Sequence, residues 1–265
     1  MSTPHGRGPA LVGVVHLPPL PGSPRFAGSF PEVVASAARD AGALARAGFE
    51  AVILENFGDA PFVPERVDAV TIAAMTACAI AAREAAAGAS LGINVLRNDA
   101  EAALAVAVAA GADFVRVNVH TGARVTDQGL IQGRAHETLR LRRALGAGHV
   151  RLFCDVDVKH SAPLGARPIG EEAHDLAGRG MADAVLVTGS GTGRGVASDD
   201  LAEVLAAVDV PVYVASGVTE ETLDDVRRAH GVIVGSCLRA SGKAGDPVDE
   251  ALARRFAGAF RASRA

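Results

Sequence analysis

Asp155, Asp157 and Lys159 stand at every second position of one β-branched run. On an extended chain that spacing puts three ionisable side chains on one face. Two carboxylates and an amine are costly to bury unless they pair or do chemistry. Asp155, the deepest, suits a structural ion-pair layer; Asp157 and Lys159, nearer the end of the run, suit a site. Lys159 and Lys243 are the only lysines among 26 cations. Where Arg serves nearly everywhere else, a retained Lys points to an amine that can lose its proton. Schiff-base and general-acid lysines need that property and Arg cannot supply it. Seating a phosphate is the plainer alternative.

Other runs end in polar groups too. His16, His120 and His160 are candidates for proton transfer, and Glu55 joins them as a carboxylate. Asn56, Asn94, Arg97, Arg116, Asn118 and Thr188 suit substrate binding, as does Asp155 if it is not wholly spent on an ion pair. Glycine-rich turns at Gly189-Ser190-Gly191, Ser216-Gly217 and Gly235-Ser236 let a backbone come close to an anion and donate amides to it. Asp155, Asp157, His120 and Glu55 are of metal-ligating type. They share no spacing motif such as HExxH, so no metal and no other cofactor is expected.

The elements that must position these groups alternate strictly. Strands are expected at Leu11–Leu17, Ala51–Glu55, Ser90–Val95, Phe114–Val119, Val150–Val158, Ala184–Val187, Val212–Ala215 and Val232–Gly235. Ala-rich helices are expected near Glu32–Ala47, Val67–Ala87, Ala100–Ala110, Ala135–Leu145, Glu171–Arg179, Leu201–Ala207, Glu220–Ala229 and Val248–Arg261. Eight β–α units fit a single (β/α)8 barrel, typically about 250 residues long. An open doubly wound sheet would want a Gly-rich turn after its first strand, and "HLPPLPGSP" is not one. Gly48, Gly111, Gly180 and Gly231 stand where left-handed helix caps are expected; Asp99, Ser198 and Thr219 stand at N-caps. The barrel domain is expected from residue 10 onward, behind a flexible tail over residues 1–9. In this fold the site lies at the carboxyl ends of the strands, which is where the polar residues fall. The long loop from His120 to Gly133 and the Pro-rich loop after His16 are lid candidates.

Composition excludes several function classes. The chain has 265 residues, 49% hydrophobic and 4% aromatic, with no Trp and a net charge of −4. That balance supports a large core filled by Ala, Val, Leu and Ile. It argues against a nucleic-acid protein that works by phosphate neutralisation. The most apolar window, Ala69–Ala82, is about 14 residues, short of the roughly 20 that a membrane span needs. With no signal-like stretch, a cytoplasmic protein is expected, and Cys78, Cys154 and Cys237 read as reduced thiols. The helix over Val67–Ala87 is apolar on nearly every face, which suggests a homo-oligomer contact.

Several segments in order, "GVVHLPPLPGSPRF", "ILENFGDAPF", "GINVLRNDA", "RVNVHTGARVTDQG", "DVDVKHSAPLG", "VTGSGTG" and "VASGVT", together resemble the BtpA family. That family takes in photosystem I biogenesis proteins of cyanobacteria and SgcQ-like proteins of bacterial sugar-related operons. The resemblance covers Leu11 to Cys237. It implies a TIM barrel of the ribulose-phosphate-binding type. Its SgcQ-like members imply sugar-phosphate or nucleoside metabolism; its cyanobacterial members imply assembly of a membrane complex. The expectation is an enzyme acting on a small phosphorylated sugar or phosphoribosyl-type metabolite by lyase or isomerase chemistry. Cleavage of a glycosidic C–N bond and a non-catalytic assembly role are the alternatives.

Overall fold

The computed structural model describes residues 8–165, 167–189 and 198–264. Eight parallel strands close into one barrel: β1 (Leu11–His16), β2 (Ala51–Glu55), β3 (Ser90–Asn94), β4 (Phe114–Val117), β7 (Arg151–Asp157), β9 (Ala184–Val187), β10 (Val212–Val214) and β11 (Gly231–Val234). They pair in chain order around the ring, and β11 returns to β1. Around them lie α1 (Phe30–Ala47), α2 (Ala69–Ala85), α3 (Ala100–Ala110), α4 (Ala135–Ala144), α5 (Ile169–Gly178), α6 (Ser198–Ala207) and α7 (Glu250–Ala262). The expected fold class, a single-domain (β/α)8 TIM barrel, is what the chain forms.

Alternation sets the two layers of the core. Residues pointing outward from the strands meet the helices. Those pointing inward form a second cluster that includes Val12, Val14, Ile53, Phe114, Phe153, Leu186, Tyr213 and Ile233. Phe114 stacks on Phe153 at 4.5 Å between ring centroids, and Phe153 meets Tyr213 at 4.9 Å. A chain poor in aromatics thus places three of its ten in the barrel interior, where volume is most needed. The next inward positions on β1, β2, β4 and β7 are His16, Glu55, Arg116 and Asp155, and they close the interior at the carboxyl end, whereas β10 leads on to Ala215.

Four local expectations are revised. The loop after His120 contains a hairpin, β5 (Ala123–Thr126) and β6 (Gly129–Gln132), which pairs with β8 (Ser161–Pro163) as a three-stranded sheet. The helix expected over 220–229 is a 3-10 turn at Glu220–Thr222 followed by turns, held by bonds three residues apart such as Ala229 N–H to Val226 O. Its Thr and Asp residues compete locally for the backbone and disfavour an α-helix. Gly48 and Gly111 take the left-handed cap conformation, but Gly180 and Gly231 do not. At those two a Cβ would sit 2.5 Å from Leu176 O and 2.4 Å from Ala10 O, so close backbone approach demands the glycine. Finally, the helix expected over Val67–Ala87 is shorter, α2 running from Ala69 to Ala85; it is apolar on nearly every face, with Ala74, Met75, Cys78, Ala79 and Ala82 buried and Val70 and Ile80 exposed on the far side.

Asp99 caps α3 by accepting from Ala102 N, and Thr219 forms a capping box with Thr222. Among the described residues, no helix is long and apolar enough to cross a membrane.

Candidate functional site

A layer of charge sits above the aromatic plug. Arg116 on β4 is buried and donates from Nε and Nη2 to Asp155 on β7 at 3.1 and 3.0 Å. Its Nη1 reaches Oε1 of Glu55 on β2 at 3.2 Å. A planar guanidinium can serve two carboxylates in this way, whereas an ammonium would not span them. Asn94 Nδ2 donates to Glu55 Oε1 at 3.1 Å, and Asn118 Nδ2 to Asp155 Oδ2 at 2.8 Å. Burial works against the Glu55 carboxylate, yet Arg116, His16 and Lys159 outweigh it and hold its pKa below the ordinary range. Glu55 is therefore an ionised, buried group. The same pairing makes Asp155 part of a structural ion-pair layer.

A cavity opens above this layer. It is lined by His16, Glu55, Arg116 and Lys159 on one side and by the turns Ser216-Gly217-Val218 and Gly235-Ser236 on the other. Lys159 loses proton affinity chiefly to burial, with Arg116 and Arg97 adding to the effect and Glu55 and Asp155 opposing it. Arg97 Nη2 donates to the Lys159 carbonyl at 2.7 Å and ties the end of β3 to the segment that carries the amine. His16 Nε2 lies 4.0 Å from Glu55 Oε2. Burial, aided by Arg239, Lys159 and Arg116 against the opposing Glu55, lowers the His16 pKa to about 4. Gly217 has φ +67°, a backbone that L side chains rarely adopt, and it faces this cavity.

Not every sequence-predicted residue reaches the cavity. His120 lies beyond Val117, the last ladder residue of β4, so alternation no longer governs it. Its ring is buried with Nε2 2.8 Å from Gly180 O, away from the mouth. Asp157, which the spacing assigns to a site with Lys159, does not line the cavity. A register shift in β7 sets Asp155 opposite Leu186 but Asp157 opposite Val187, so one extra residue breaks the period of two. Asp157 instead takes Arg124 Nη1 at 2.7 Å, and Arg124 also donates to Val156 O and Glu172. Asn56 is spent on structure: it donates to Asp59 and Leu96 O and accepts from Leu96 N. The Thr188 hydroxyl donates to Asp157 O. Asn118 and Asn94 support the carboxylates from below. His160 is exposed at the rim with φ +59°. Gly189 is buried at the end of β9, whereas Ser190 and Gly191 lie outside the described residues. No three His, Cys, Asp or Glu side chains converge among the described residues.

Two further buried arginines, Arg239 and Arg124, carry no signal in the sequence pattern. Arg239 is buried just past β11, donating to Gly235 O, Val14 O and Asp246 O. It sits beyond the strand, out of reach of any period-two argument. Arg124 was hidden because the hairpin itself was not foreseen.

Fold and site define a (β/α)8 barrel whose mouth combines a lysine, a carboxylate and a histidine with two glycine turns. The chain belongs to the BtpA family, whose model matches residues 7–262. It is 44% identical over 247 residues to an uncharacterised protein of Thermococcus kodakarensis, covering 93% of each chain. It is 44% identical to the photosystem I biogenesis protein BtpA of Synechocystis, over 90% of this chain and 83% of that one. Among solved structures, KGPDC from Streptococcus mutans superposes with a TM-score of 0.59 at 12% identity, covering 97% of this chain and 99% of the other. Thiamine phosphate pyrophosphorylase from Pyrococcus furiosus gives 0.58 at 15% identity, over 97% and 96%. At such identities the likeness is one of fold.

Proposed function

We propose that the protein is an enzyme acting on a small phosphorylated sugar or phosphoribosyl-type metabolite, with lyase or isomerase chemistry. One observation carries the reading: Lys159, Glu55 and His16 share a cavity with the backbone turns after two adjacent strands. The anion would rest on Ser216, Gly217, Gly235 and Ser236, the position after the last two barrel strands that phosphates favour in this fold. Arg116 and Lys159 line the cavity against one carboxylate, Glu55, which favours an anionic ligand. Lys159, with its proton affinity reduced, is suited to form an imine with a carbonyl substrate or to act as an acid. His16 and Glu55 are placed to move protons, and His160 stands at the rim. The exposed Val70 and Ile80 of α2 support a homo-oligomer, and a cytoplasmic setting accords with this chemistry.

Two other readings have an observation behind them. An ionised Glu55 in the cavity would also stabilise an oxocarbenium-like centre during glycosidic C–N cleavage. The relative named for photosystem I biogenesis favours an assembly role. The test is borohydride trapping with a panel of sugar phosphates and ketoses, on wild type and Lys159→Arg. An adduct on Lys159, absent in the variant, is expected. Ligand-induced stabilisation without an adduct removes the imine and turns attention to C–N cleavage. No binding by any phosphorylated compound leaves the assembly role.

A further inference from the structure

The two nitrogens of His16 face different groups. Nδ1 lies 3.3 Å from the Gly245 backbone N–H and 3.3 Å from Arg239 Nη2. Both neighbours can only donate, so Nδ1 must carry the lone pair, and the ring proton of a neutral imidazole is then on Nε2. Nε2 lies 4.0 Å from Glu55 Oε2, too far for a direct hydrogen bond, and a group set beside the pair can reach both atoms. Glu55 Oε1 is already held by Asn94 and Arg116, which leaves Oε2 as the oxygen turned toward the histidine. His16 and Glu55 are register partners on adjacent strands, so the pair is fixed by the barrel ladder itself.

We infer that Glu55 Oε2 is a base and His16 Nε2–H a neutral hydrogen-bond donor that together enolise a phosphorylated α-hydroxycarbonyl compound, with Arg239 as the positioning residue that sets the histidine tautomer. Glu55 takes a proton from the carbon beside the carbonyl. The C–H electron pair becomes the new C=C bond, and the carbonyl π pair moves onto oxygen, where His16 Nε2–H receives it. Glu55 then returns its proton to carbon, so the cycle needs no oxidant or further reactant. The low proton affinity of the buried ring keeps it a neutral donor, the form suited to an enolate of similar basicity. Four charged groups bear on this ring: Glu55 from β2, Arg116 from β4, Lys159 after β7 and Arg239 after β11. The inference rests on the proposed carbonyl-phosphate reading but makes a claim that can be read without any ligand.

Long-range proton–nitrogen NMR on histidine-labelled protein reads the tautomer directly. At pH 7 His16 is expected neutral, with Nε2 protonated and Nδ1 bare; an Nδ1–H tautomer or an imidazolium overturns the assignment. In Arg239→Gln the His16 titration midpoint should rise while the circular dichroism stays unchanged. An unmoved midpoint removes Arg239 from the role. Should that variant not fold, the wild-type spectrum still decides the tautomer. Dihydroxyacetone phosphate and ribulose 5-phosphate in D2O supply the second readout. Wild type is expected to deuterate the carbon beside the carbonyl, Glu55→Gln to lose at least a hundredfold, and His16→Gln, which keeps an N–H near Nε2, to retain part. A ketose phosphate that raises the melting temperature without exchanging its proton overturns the enolisation and spares the anion site. If neither phosphate binds, the earlier reading falls and the enolisation with it, while the spectrum still decides the tautomer.

Discussion

Acidification should unfold this barrel partly through one histidine. His16 titrates near an ordinary 6.5 in an unfolded chain but at about 4 when folded. Between those values the unfolded state binds the extra proton, so stability is full above the unfolded pKa and is lost as pH falls toward the folded one. The slope is about 1.4 kcal/mol per pH unit, and from pH 7 to pH 5 the loss integrates to about 2 kcal/mol. Glu55 does not share this window, because its neighbours hold it below the ordinary carboxylate range. The perturbation that isolates the effect is His16→Gln, which removes the titrating group. Urea unfolding at pH 7 and pH 5 measures it, followed by circular dichroism since the chain has no Trp and one Tyr. Wild type should lose about 2 kcal/mol more than the variant over that interval. Equal losses would refute a buried neutral imidazole, and with it the electrostatic account of the cavity.

Further consequences follow from the same packing. Arg116→Met would leave Glu55 and Asp155 buried without their cation and should cost about 3–5 kcal/mol, read as a lowered urea midpoint. Gly92→Ala would place a Cβ 2.2 Å from the Phe114 ring, itself stacked on Phe153, and should cost roughly 1–3 kcal/mol by overpacking. Asp157→Asn should loosen the hairpin sheet that Arg124 anchors, seen as faster proteolysis between 121 and 133 with little change in global stability.

The barrel was legible because its signals are local and repeated. Ala51–Glu55, Ala100–Ala110 and Ala184–Val187 fall where patterning placed them, and the others shift by a few residues at their ends, except the helix expected over 220–229, which is a 3-10 turn followed by turns. Strand ends also pointed to His16, Glu55, Arg116 and Lys159, since inward alternation is fixed as long as a ladder is regular. It failed where regularity stops. The shift in β7 turned Asp157 away, the chain left β4 before His120, and β5 and β6 pair mainly through backbone atoms that leave little hydrophobic pattern. Arg239 was invisible because three of its four partners are acceptors on the main chain, which no side-chain spacing encodes.

The central claim is that the mouth of this barrel binds a phosphorylated small molecule on its two glycine turns. Phosphorus NMR of ribose 5-phosphate and ribulose 5-phosphate titrated with the protein tests it most directly. The account predicts a shifted or broadened phosphate resonance with wild type and with Lys159→Gln. That change should be abolished by Gly217→Val, which strains a backbone at φ +67° and fills the turn. An unperturbed resonance at millimolar protein, or one equally perturbed by Gly217→Val, would contradict it.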